Sequence, residues 1–193
     1  MSENPIDKFS EWLAVAKNTR SIIEPTAMTV ATATPSGKPS ARILLLKDFD
    51  ERGFVFYTNL ESRKSIEIKA NPYAALCFYW MQLERQVRIE GRIEAVSDAE
   101  ADAYFASRPR ESRIGAWSSQ QSRPLKSRDE LIQAVEENTK KFEGKDVPRP
   151  QFWSGWRVVP ETIEFWQQSD FRLHDRELFT RKGKEWEVTK LYP

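Results

Sequence analysis

The side chains best suited to chemistry in this sequence are cations and hydroxyl groups that can bind anions. Ser62, Arg63 and Lys64 come together where the segment ESRKSIEIKAN is predicted to form a short helix. If the helix begins at Ser62, both cations oppose its dipole unless an anion lies in front of them, and such an N-terminus is competent to bind phosphate. Thr58 or Asn59 can cap the helix instead, and an ordinary solvated turn remains the simpler interpretation.

A second anion-competent cluster is predicted around the segment YFASRPRES. Tyr104 and Arg108 are four positions apart and share one face of a predicted helix. Ser112 follows in a predicted loop after Pro109. The phenol, the guanidinium and the hydroxyl group together could hold a phosphate, although Tyr104 fits equally well as an aromatic residue at the edge of the core.

Two further cations, Arg42 and Lys47, bracket the apolar run ILLL. Positions five apart on a straight strand face opposite sides. The two cations would therefore serve different regions of a ligand or lie at the two ends of one strand. The simpler interpretation is that both are solvated strand ends.

Uncharged side chains add candidates for binding a polar heterocycle. Gln86 lies in an otherwise apolar and charged strand, and Gln121 and Ser122 lie in the loop segment SSQQSRP. Glutamines in loops are usually just solvated. Trp166 precedes the segment QQSDFRLHDR, and a tryptophan there is more often a core residue than a platform for a ligand.

The only histidine, His174, lies between Arg172 and Arg176 in the segment RLHDR. A single histidine excludes a metal site of several imidazoles, and no HExxH segment occurs. A Ser-His-Asp triad lacks the GxSxG nucleophile turn, and the seven glycines form neither standard phosphate-binding glycine motif. A phosphorylated ligand would therefore be held by Arg, Lys, Ser and Tyr side chains.

Composition limits the class of protein and its partners. The 193 residues fit one domain, and 30 basic against 29 acidic side chains argue against a nucleic-acid or anionic-membrane protein. The single cysteine, Cys77, cannot form an internal disulfide, so a reducing compartment is expected. The start of the chain lacks the layout of a signal peptide, and the longest apolar run is too short to span a bilayer. We expect a soluble, cytoplasmic protein.

The elements that must position these side chains are predicted to be mostly antiparallel strands. An amphipathic helix over residues 4–18 precedes a meander of three strands in residues 26–59, with turns at PSGK and DERG. Residues 73–97 give two more strands, and the tail gives a strand followed by a hairpin around Lys182 and Gly183. These strands indicate a single-domain β-barrel with helices packed outside it, the N-terminal helix within residues 1–20 and the barrel within residues 26–193.

Two helices of this outer layer carry start signals. Ser97 with Glu100 and Ser127 with Glu130 both match the capping box. Pro109 is expected to end the first helix. The second helix has an apolar side formed by Leu131, Ile132, Val135 and Phe142.

Several blocks of the sequence, taken in order, resemble the pyridoxamine 5′-phosphate oxidase family. They are RILLLK, FYTNLESRK, LERQVRIEG, YFASRPRESRIGAW, SSQQS, FWSGWRV, IEFWQ and RLHDR, and they span the chain from about Pro25 to Pro193. The resemblance implies an FMN-binding split barrel and a homodimer with FMN at the subunit interface. It also implies oxidation of pyridoxine or pyridoxamine 5′-phosphate to pyridoxal 5′-phosphate. A hydride would pass from C4′ of the substrate to the flavin, and O₂ would be reduced to hydrogen peroxide.

The resemblance also implies roles for individual residues. The FMN contacts would be Arg42, Ile43, Leu44, Leu45, Leu46, Lys47, Tyr57, Thr58, Arg63, Lys64, Gln86, Gln121, Ser122, Trp166 and Arg176. The substrate contacts would be Lys47, Tyr104, Arg108, Ser112, Arg172, Leu173 and His174. Of these, Arg172 and His174 would close over the pyridine ring opposite the flavin as the catalytic pair, and the Leu173 side chain is expected to face the core.

The chain departs from the family pattern at three positions, and other functions stay open. Gln168 stands where the family has a glycine, Ser154 replaces another glycine, and Tyr192 replaces a small residue. The first change bears on the loop beside the substrate. The alternatives are a flavin oxidase of the phenazine-biosynthesis type and a non-catalytic flavin- or pyridoxal-phosphate-binding protein on the same barrel. A plain interaction module would not explain two anion-competent clusters.

Overall fold

Nine antiparallel strands make up the sheet of the computed structural model, which describes residues 4–193. In chain order they are β1 Ala27–Ala33, β2 Pro39–Leu45, β3 Asp48–Asp50, β4 Gly53–Asn59, β5 Tyr73–Trp80, β6 Arg85–Ala95, β7 Trp153–Gln167, β8 Asp175–Lys182 and β9 Glu185–Lys190. The predicted strand pair β5–β6 and the C-terminal hairpin β8–β9 are confirmed.

The order of the strands forces the sheet to curl. They follow one another as β2-β1-β5-β6-β7-β4-β3, so only Leu46 and Lys47 separate the two edge strands, β2 and β3, in the chain. The backbone N–H of Leu46 donates to the Thr26 carbonyl, and that of Lys47 donates to the Val55 carbonyl, each at 2.9 Å. β7 is 15 residues long and pairs with β4 through its first half and with β8 through its second. The curled sheet with a branch at β7 is an antiparallel split barrel.

The predicted meander in residues 26–59 is wrong about the partner of its last strand, β4. β1 and β2 form the expected hairpin, but the second predicted run is two strands, because the chain leaves the sheet at Leu46 and Lys47. β4 pairs with β3 and β7 and lies far from β2 in the strand order. Local turn signals could not reveal this pairing, because the partner strand β7 comes much later in the chain.

Five α-helices in the described residues accompany the sheet: α1 Pro5–Asn18, α2 Arg63–Ala70, α3 Asp98–Ser107, α4 Arg110–Ser118 and α5 Arg128–Lys141. The predicted amphipathic α1 is confirmed, because Ile6, Phe9, Leu13 and Ala16 are buried. The Phe9 ring meets the rings of Phe49 and Phe54 edge to face at 5.0 Å, so α1 joins the main core of the barrel.

The chain between residues 98 and 118 differs from the prediction. The capping box of Ser97 and Glu100 is present and opens α3. Pro109 does end this helix, but it is also the N-cap of α4, which places Ser112 on a helix and not in a loop. Proline suits the start of a helix because its missing N–H would have no partner there. Sequence reasoning used Pro109 only as a stop signal and missed the start.

The predicted apolar side of α5 is only partly covered by the rest of the chain. Ser127 caps the helix by accepting from the Glu130 N–H, yet no residue of α5 is buried, and Ile132 is 47% exposed. Phe142, just after the helix, is buried and packs against Trp117. No helix in residues 4–193 is long and apolar enough to cross a membrane.

Candidate active site

The start of α2 agrees with the phosphate-competent interpretation of the sequence. Ser62 is the N-cap and makes no side-chain capping bond, so Arg63 and Lys64 lie in the first turn, which holds no acidic residue. Thr58 and Asn59 belong to β4 and do not cap the helix. Two cations therefore stand at the positive end of a helix dipole, where an anion would be favoured.

Lys64 is a buried cation surrounded by neutral groups. Its Nζ donates to Thr58 Oγ1 at 3.1 Å, Ser62 Oγ at 3.2 Å and Gln121 Oε1 at 3.5 Å. Only 5% of the residue is exposed. Burial, followed by the charge of Arg42, lowers the pKa of Lys64 to about 8. A buried ammonium group held only by neutral acceptors is costly, and an anionic ligand would offset that cost.

A cavity of about 580 Å³ lies beside this lysine. Many of the sequence-predicted site residues line it: Leu44, Lys47, Tyr57, Thr58, Tyr104, Arg108, Ser112 and Gln121. They come from β2, β4, α3, α4 and the connections after β2, α3 and α4. Sequence reasoning missed other lining residues, among them Asn59, Gly115 and Trp153. The signal for Trp153 was available, since it lies in the block FWSGWRV.

Stacked aromatic rings form one wall of the cavity. The Tyr57 ring stacks on that of Tyr104 at 4.1 Å and on that of Trp153 at 5.5 Å. The Arg108 guanidinium lies 4.7 Å above the centre of the Trp153 ring. The stack holds the Tyr104 ring and the Arg108 guanidinium side by side, as the predicted phosphate cluster requires.

Arg108 carries an unsatisfied polar atom. Its Nη1 is buried and has no hydrogen-bond partner in the structure. Burial lowers the pKa of Arg108, while the nearby Tyr104 acts in the opposite direction. A guanidinium remains charged in proteins, and Arg108 lines the cavity without a carboxylate partner in the described residues, so an anionic ligand in the cavity would be favoured.

Gly155 leaves room for the Tyr57 ring of the aromatic wall. It pairs with Tyr57 across β4 and β7, and a Cβ at this position would lie 2.7 Å from the Tyr57 ring and 2.9 Å from a Val96 methyl group. The Tyr57 ring can therefore lie flat against β7 only because residue 155 lacks a side chain.

We expect Gly155→Ala to lower the free energy of unfolding by about 1–3 kcal/mol, because an added methyl group overpacks the wall. Denaturant unfolding of the apoprotein measures this change. The control is Gly115→Ala on α4, where a Cβ meets nothing within 4 Å; it should stabilise the helix by about 0.5–1 kcal/mol. An unchanged midpoint for Gly155→Ala would show that Tyr57 moves aside without cost.

A second cavity, of about 480 Å³, brings together three more of the predicted residues. It is lined by Trp166, Arg172 and His174 and by the loop from Gln168 to Phe171. The His174 ring lies 4.7 Å from the Trp166 ring, and its Nδ1 accepts from the backbone N–H of Ser169 at 3.2 Å. Arg172 has a φ of 63°, a left-handed conformation that is uncommon for a residue other than glycine.

Three predicted flavin contacts lie on adjacent strands near this second cavity. Gln86 on β6 is paired with Trp166 on β7, which in turn is paired with Arg176 on β8. The Arg176 Nε donates to the buried Glu164 Oε1 at 2.8 Å, and its Nη1 donates to the Tyr192 carbonyl at 2.8 Å. The register of the sheet therefore aligns side chains that are far apart in sequence.

The remaining predicted residues lie outside both cavities. Ile43 is 63% exposed and Leu46 is buried in the core, while Arg42 and Leu45 are half-buried and Ser122 is exposed. The expectation that Leu173 faces the core is wrong, because this residue is 66% exposed. It lies between the short turn of residues 170–172 and the start of β8, where no core element covers it.

The curled sheet, its branch at β7 and the cation-rich cavity beside α2 define a ligand-binding antiparallel split barrel. Residues 15–141 match the family model described as "Pyridoxamine 5′-phosphate oxidase". Residues 153–193 match the one described as "Pyridoxine 5′-phosphate oxidase C-terminal dimerisation region". The chain belongs to the pyridoxamine 5′-phosphate oxidase family, which confirms the resemblance found in the sequence.

Relatives and solved structures agree with this assignment. Curated proteins named pyridoxine/pyridoxamine 5′-phosphate oxidase include one from Myxococcus xanthus, 56% identical over 98% of this chain and 92% of its own. Another, from Gluconobacter oxydans, is 57% identical over 100% of this chain and 96% of its own. PhzG from Burkholderia lata, solved with tetrahydrophenazine-1-carboxylic acid, has a TM-score of 0.92 at 33% identity, over 98% and 93% of the two chains. An FMN-binding protein from Nostoc punctiforme shares the fold, with a TM-score of 0.79 at 18% identity over 100% of both chains.

Proposed function

We propose that this protein oxidises pyridoxine 5′-phosphate or pyridoxamine 5′-phosphate to pyridoxal 5′-phosphate with bound FMN and O₂. The observation that carries the proposal is a pair of cations around one cavity, neither of which pairs with a carboxylate within residues 4–193. Arg108 lines the cavity, and Lys64 lies behind Thr58 and Gln121, two lining residues to which its Nζ donates. Two phosphate groups, one from FMN and one from the substrate, would supply the missing negative charge. Relatives at 56–57% identity carry the name of this activity.

The residues around α2 fit the phosphate end of FMN. Arg63 and Lys64 lie in the first turn of the helix, and Arg42 approaches the same helix from β2. The proposed contacts along the rest of FMN are Ile43, Leu44, Leu45, Leu46, Lys47, Tyr57, Thr58, Gln121 and Ser122. When bound, FMN supplies the redox chemistry by accepting a hydride from the substrate and passing the electrons to O₂, which leaves as hydrogen peroxide.

The substrate phosphate is assigned to the other side chains of the cavity. Tyr104 comes from α3, Arg108 from the link between α3 and α4, Ser112 from α4, and Lys47 from the link between β2 and β3. Together they offer two cations and two hydroxyl groups, all of which can donate to phosphate oxygens. These four residues orient the substrate and leave its ring for other groups to contact.

A homodimer would bring the second cavity into the site. Trp166, Arg172, His174 and Arg176 lie within residues 153–193, which match the dimerisation region. Gln86 lies beside Trp166 on the neighbouring strand. In the proposed dimer these side chains contribute to the site from the partner subunit, with Arg172, Leu173 and His174 next to the pyridine ring and Gln86, Trp166 and Arg176 next to the flavin.

The hydrogen bond to His174 restricts what this residue can do. A backbone N–H can only donate, so the bond from Ser169 makes Nδ1 an acceptor and leaves the proton of the neutral ring on Nε2. His174 therefore presents a donor at Nε2. This arrangement suits a hydrogen bond to a polar substituent of the substrate and does not suit a general base acting through Nε2.

We expect Arg172→Ala to lower kcat by about 10–100-fold while FMN affinity stays within about twofold of wild type, because this side chain orients the substrate only. Steady-state kinetics and a flavin-fluorescence titration measure the two quantities. Arg181→Ala is the control, since Arg181 lies on β8 and packs on Trp186. Full turnover of the Arg172 variant with bound flavin would remove Arg172 from the catalytic pair.

Product analysis in air tests the proposed function against its alternatives. The purified protein, loaded with FMN, should convert pyridoxine 5′-phosphate to pyridoxal 5′-phosphate and release an equal amount of hydrogen peroxide. The likeness to PhzG makes tetrahydrophenazine-1-carboxylic acid the comparison compound. Turnover of that compound alone would favour a phenazine-type oxidase, flavin binding with no turnover would favour a binding protein, and no flavin binding would contradict the proposal outright.

A further inference from the structure

Glu67 is a buried carboxylate underneath the proposed FMN phosphate site. It lies on α2 one turn after Arg63, and its side chain is 5% exposed. Its Oε1 accepts from Arg63 Nε at 2.9 Å, and its Oε2 accepts from the hydroxyl groups of Thr32 and Ser40, each at 2.5 Å. The Oε2 also lies 3.6 Å from Arg42 Nη2. Both oxygens are therefore occupied by groups from α2 and the two edge-side strands β1 and β2.

Thr32 and Ser40 connect Glu67 to the Arg42 guanidinium. Arg42 Nη1 donates to Thr32 Oγ1 at 2.7 Å, and Arg42 Nη2 donates to Ser40 Oγ at 2.5 Å. Each hydroxyl group has one proton, which it donates in a hydrogen bond to the carboxylate. The lone pairs of the hydroxyl oxygen are then left to accept from Arg42. Arg42 Nη1 also donates to the carbonyl groups of Val30 at 3.1 Å and Ser40 at 3.3 Å. The Glu67 carboxylate, acting through the two hydroxyl groups, is therefore one of several groups that orient the Arg42 guanidinium.

The Glu67 carboxylate binds Arg63 through Nε and leaves the two terminal guanidinium nitrogens of Arg63 free. Arg63 uses only Nε to reach Glu67, so its terminal nitrogens have no partner within the described residues. Burial on its own would raise the pKa of Glu67, but the hydrogen bonds from Ser40, Thr32 and Arg63 lower it to about 2. Glu67 is therefore an anion at neutral pH, and its charge alone would repel a phosphate.

We propose that Glu67 is a positioning residue that orients Arg42 and Arg63 toward the FMN phosphate, an inference that rests on the proposed function. Because Glu67 carries the same charge as the phosphate, the two possible roles predict opposite changes in FMN affinity. If Glu67 acts only as a charge, its removal strengthens FMN binding. If it orients the two arginines, its removal weakens FMN binding although a repelling charge has gone.

The test compares FMN with riboflavin, which lacks the phosphate. Apoprotein of wild type and Glu67→Gln is titrated with each flavin, and quenching of flavin fluorescence gives the dissociation constants. We expect Glu67→Gln to weaken FMN binding about tenfold or more, because an amide cannot accept from Arg63 and both hydroxyl groups at once. Riboflavin affinity should stay within about twofold of wild type, since the change acts on the phosphate end.

Two further variants keep the test decisive. Glu61→Gln removes an exposed acid that pairs with Arg123 just before α2, and it should leave FMN affinity unchanged or slightly higher. Ser40→Ala breaks one link between Glu67 and Arg42 with little risk to folding, and it should weaken FMN but not riboflavin. Unchanged or tighter FMN binding in both Glu67→Gln and Ser40→Ala would overturn the positioning role. Equal affinity of the wild-type protein for FMN and riboflavin would instead contradict the proposed phosphate site.

Discussion

Lys64→Met is expected to weaken FMN binding by about 100-fold or more, because it removes a desolvated cation from the phosphate site. The same substitution should raise the free energy of unfolding of the apoprotein by about 1–3 kcal/mol, since an apolar side chain of similar length replaces a buried charge. Weaker FMN binding together with a more stable apoprotein would show that Lys64 serves ligand binding and not the fold. If Lys64 had a purely structural role, its replacement would lower the free energy of unfolding.

The pH dependence of the apoprotein checks the same claim. The pKa of Lys64 lies near 8 in the folded chain, against an ordinary value of 10.5. Between these values the unfolded chain holds the proton and the folded chain does not, so this residue makes stability rise with pH across that window. Lys64→Met should remove this rise, and FMN affinity of the wild type should fall above pH 8 as the ammonium group is lost.

Isothermal titration with FMN and denaturant unfolding at several pH values measure these effects. Lys69→Met is the matched control, because Lys69 lies in the last turn of the same helix and its Nζ bonds to the Leu60 carbonyl at an exposed position. It should alter neither quantity appreciably. A Lys64 variant that binds FMN as tightly as wild type would show that the α2 cations do not hold the phosphate.

Arg108→Ala should lower kcat/KM for pyridoxine 5′-phosphate by about 100–1000-fold, because a half-buried guanidinium bound to a phosphate contributes several hydrogen-bonded contacts that alanine cannot replace. Most of the loss should appear in KM, since the phosphate is remote from the reacting carbon and is bound equally throughout the reaction. FMN affinity should not change, because Arg108 belongs to the substrate side of the cavity.

Unphosphorylated pyridoxine sharpens this second prediction. Wild-type protein should use it poorly, and the Arg108 variant should use it no worse than wild type does, since the missing contact concerns the phosphate alone. Arg128→Ala, at the exposed start of α5, is the control and should behave as wild type. An equal loss for pyridoxine and its phosphate would mean that Arg108 supports the fold or the ring and not the phosphate.

Local patterns in the sequence predicted those parts of the fold that local physics decides. The apolar stripe from Ile6 to Ala16 identified α1. The turn at Lys182 and Gly183 identified the C-terminal hairpin, and the capping box of Ser97 and Glu100 identified the start of α3. In each case the side-chain period, the turn chemistry or the helix cap acts within a few residues, so no knowledge of distant partners was needed.

Long-range pairing explains what local patterns did not predict. The position of β4 depends on its pairing with β7. Leu173 is exposed because no distant element packs over it. The carboxylate of Glu67 joins Thr32, Ser40 and Arg63, which lie on three different elements. No spacing rule connects such residues, so this cluster became visible only in the folded chain.

The candidate site was predicted mainly through ordered blocks of family resemblance. Spacing alone left Ser62, Arg63 and Lys64 as either a phosphate site or a solvated turn. Lys64 is buried at the start of α2, which does not fit a fully solvated turn, and the phosphate site stays a prediction. Spacing also placed Tyr104 and Arg108 on one helical face. Both residues do line the cavity, but Arg108 lies just beyond the end of α3 in an extended conformation, so the shared helical face was wrong. The separation of the predicted residues into two cavities was not foreseen, because it depends on long-range strand pairing that spacing does not reveal.

A single turnover without oxygen tests the central claim most directly. Protein loaded with FMN is mixed with pyridoxine 5′-phosphate under anaerobic conditions, and the yellow flavin absorbance is followed. We expect the colour to bleach as one pyridoxal 5′-phosphate forms per flavin, and admission of O₂ to restore it with one hydrogen peroxide per flavin. A flavin that stays oxidised in the presence of the bound substrate would contradict the account.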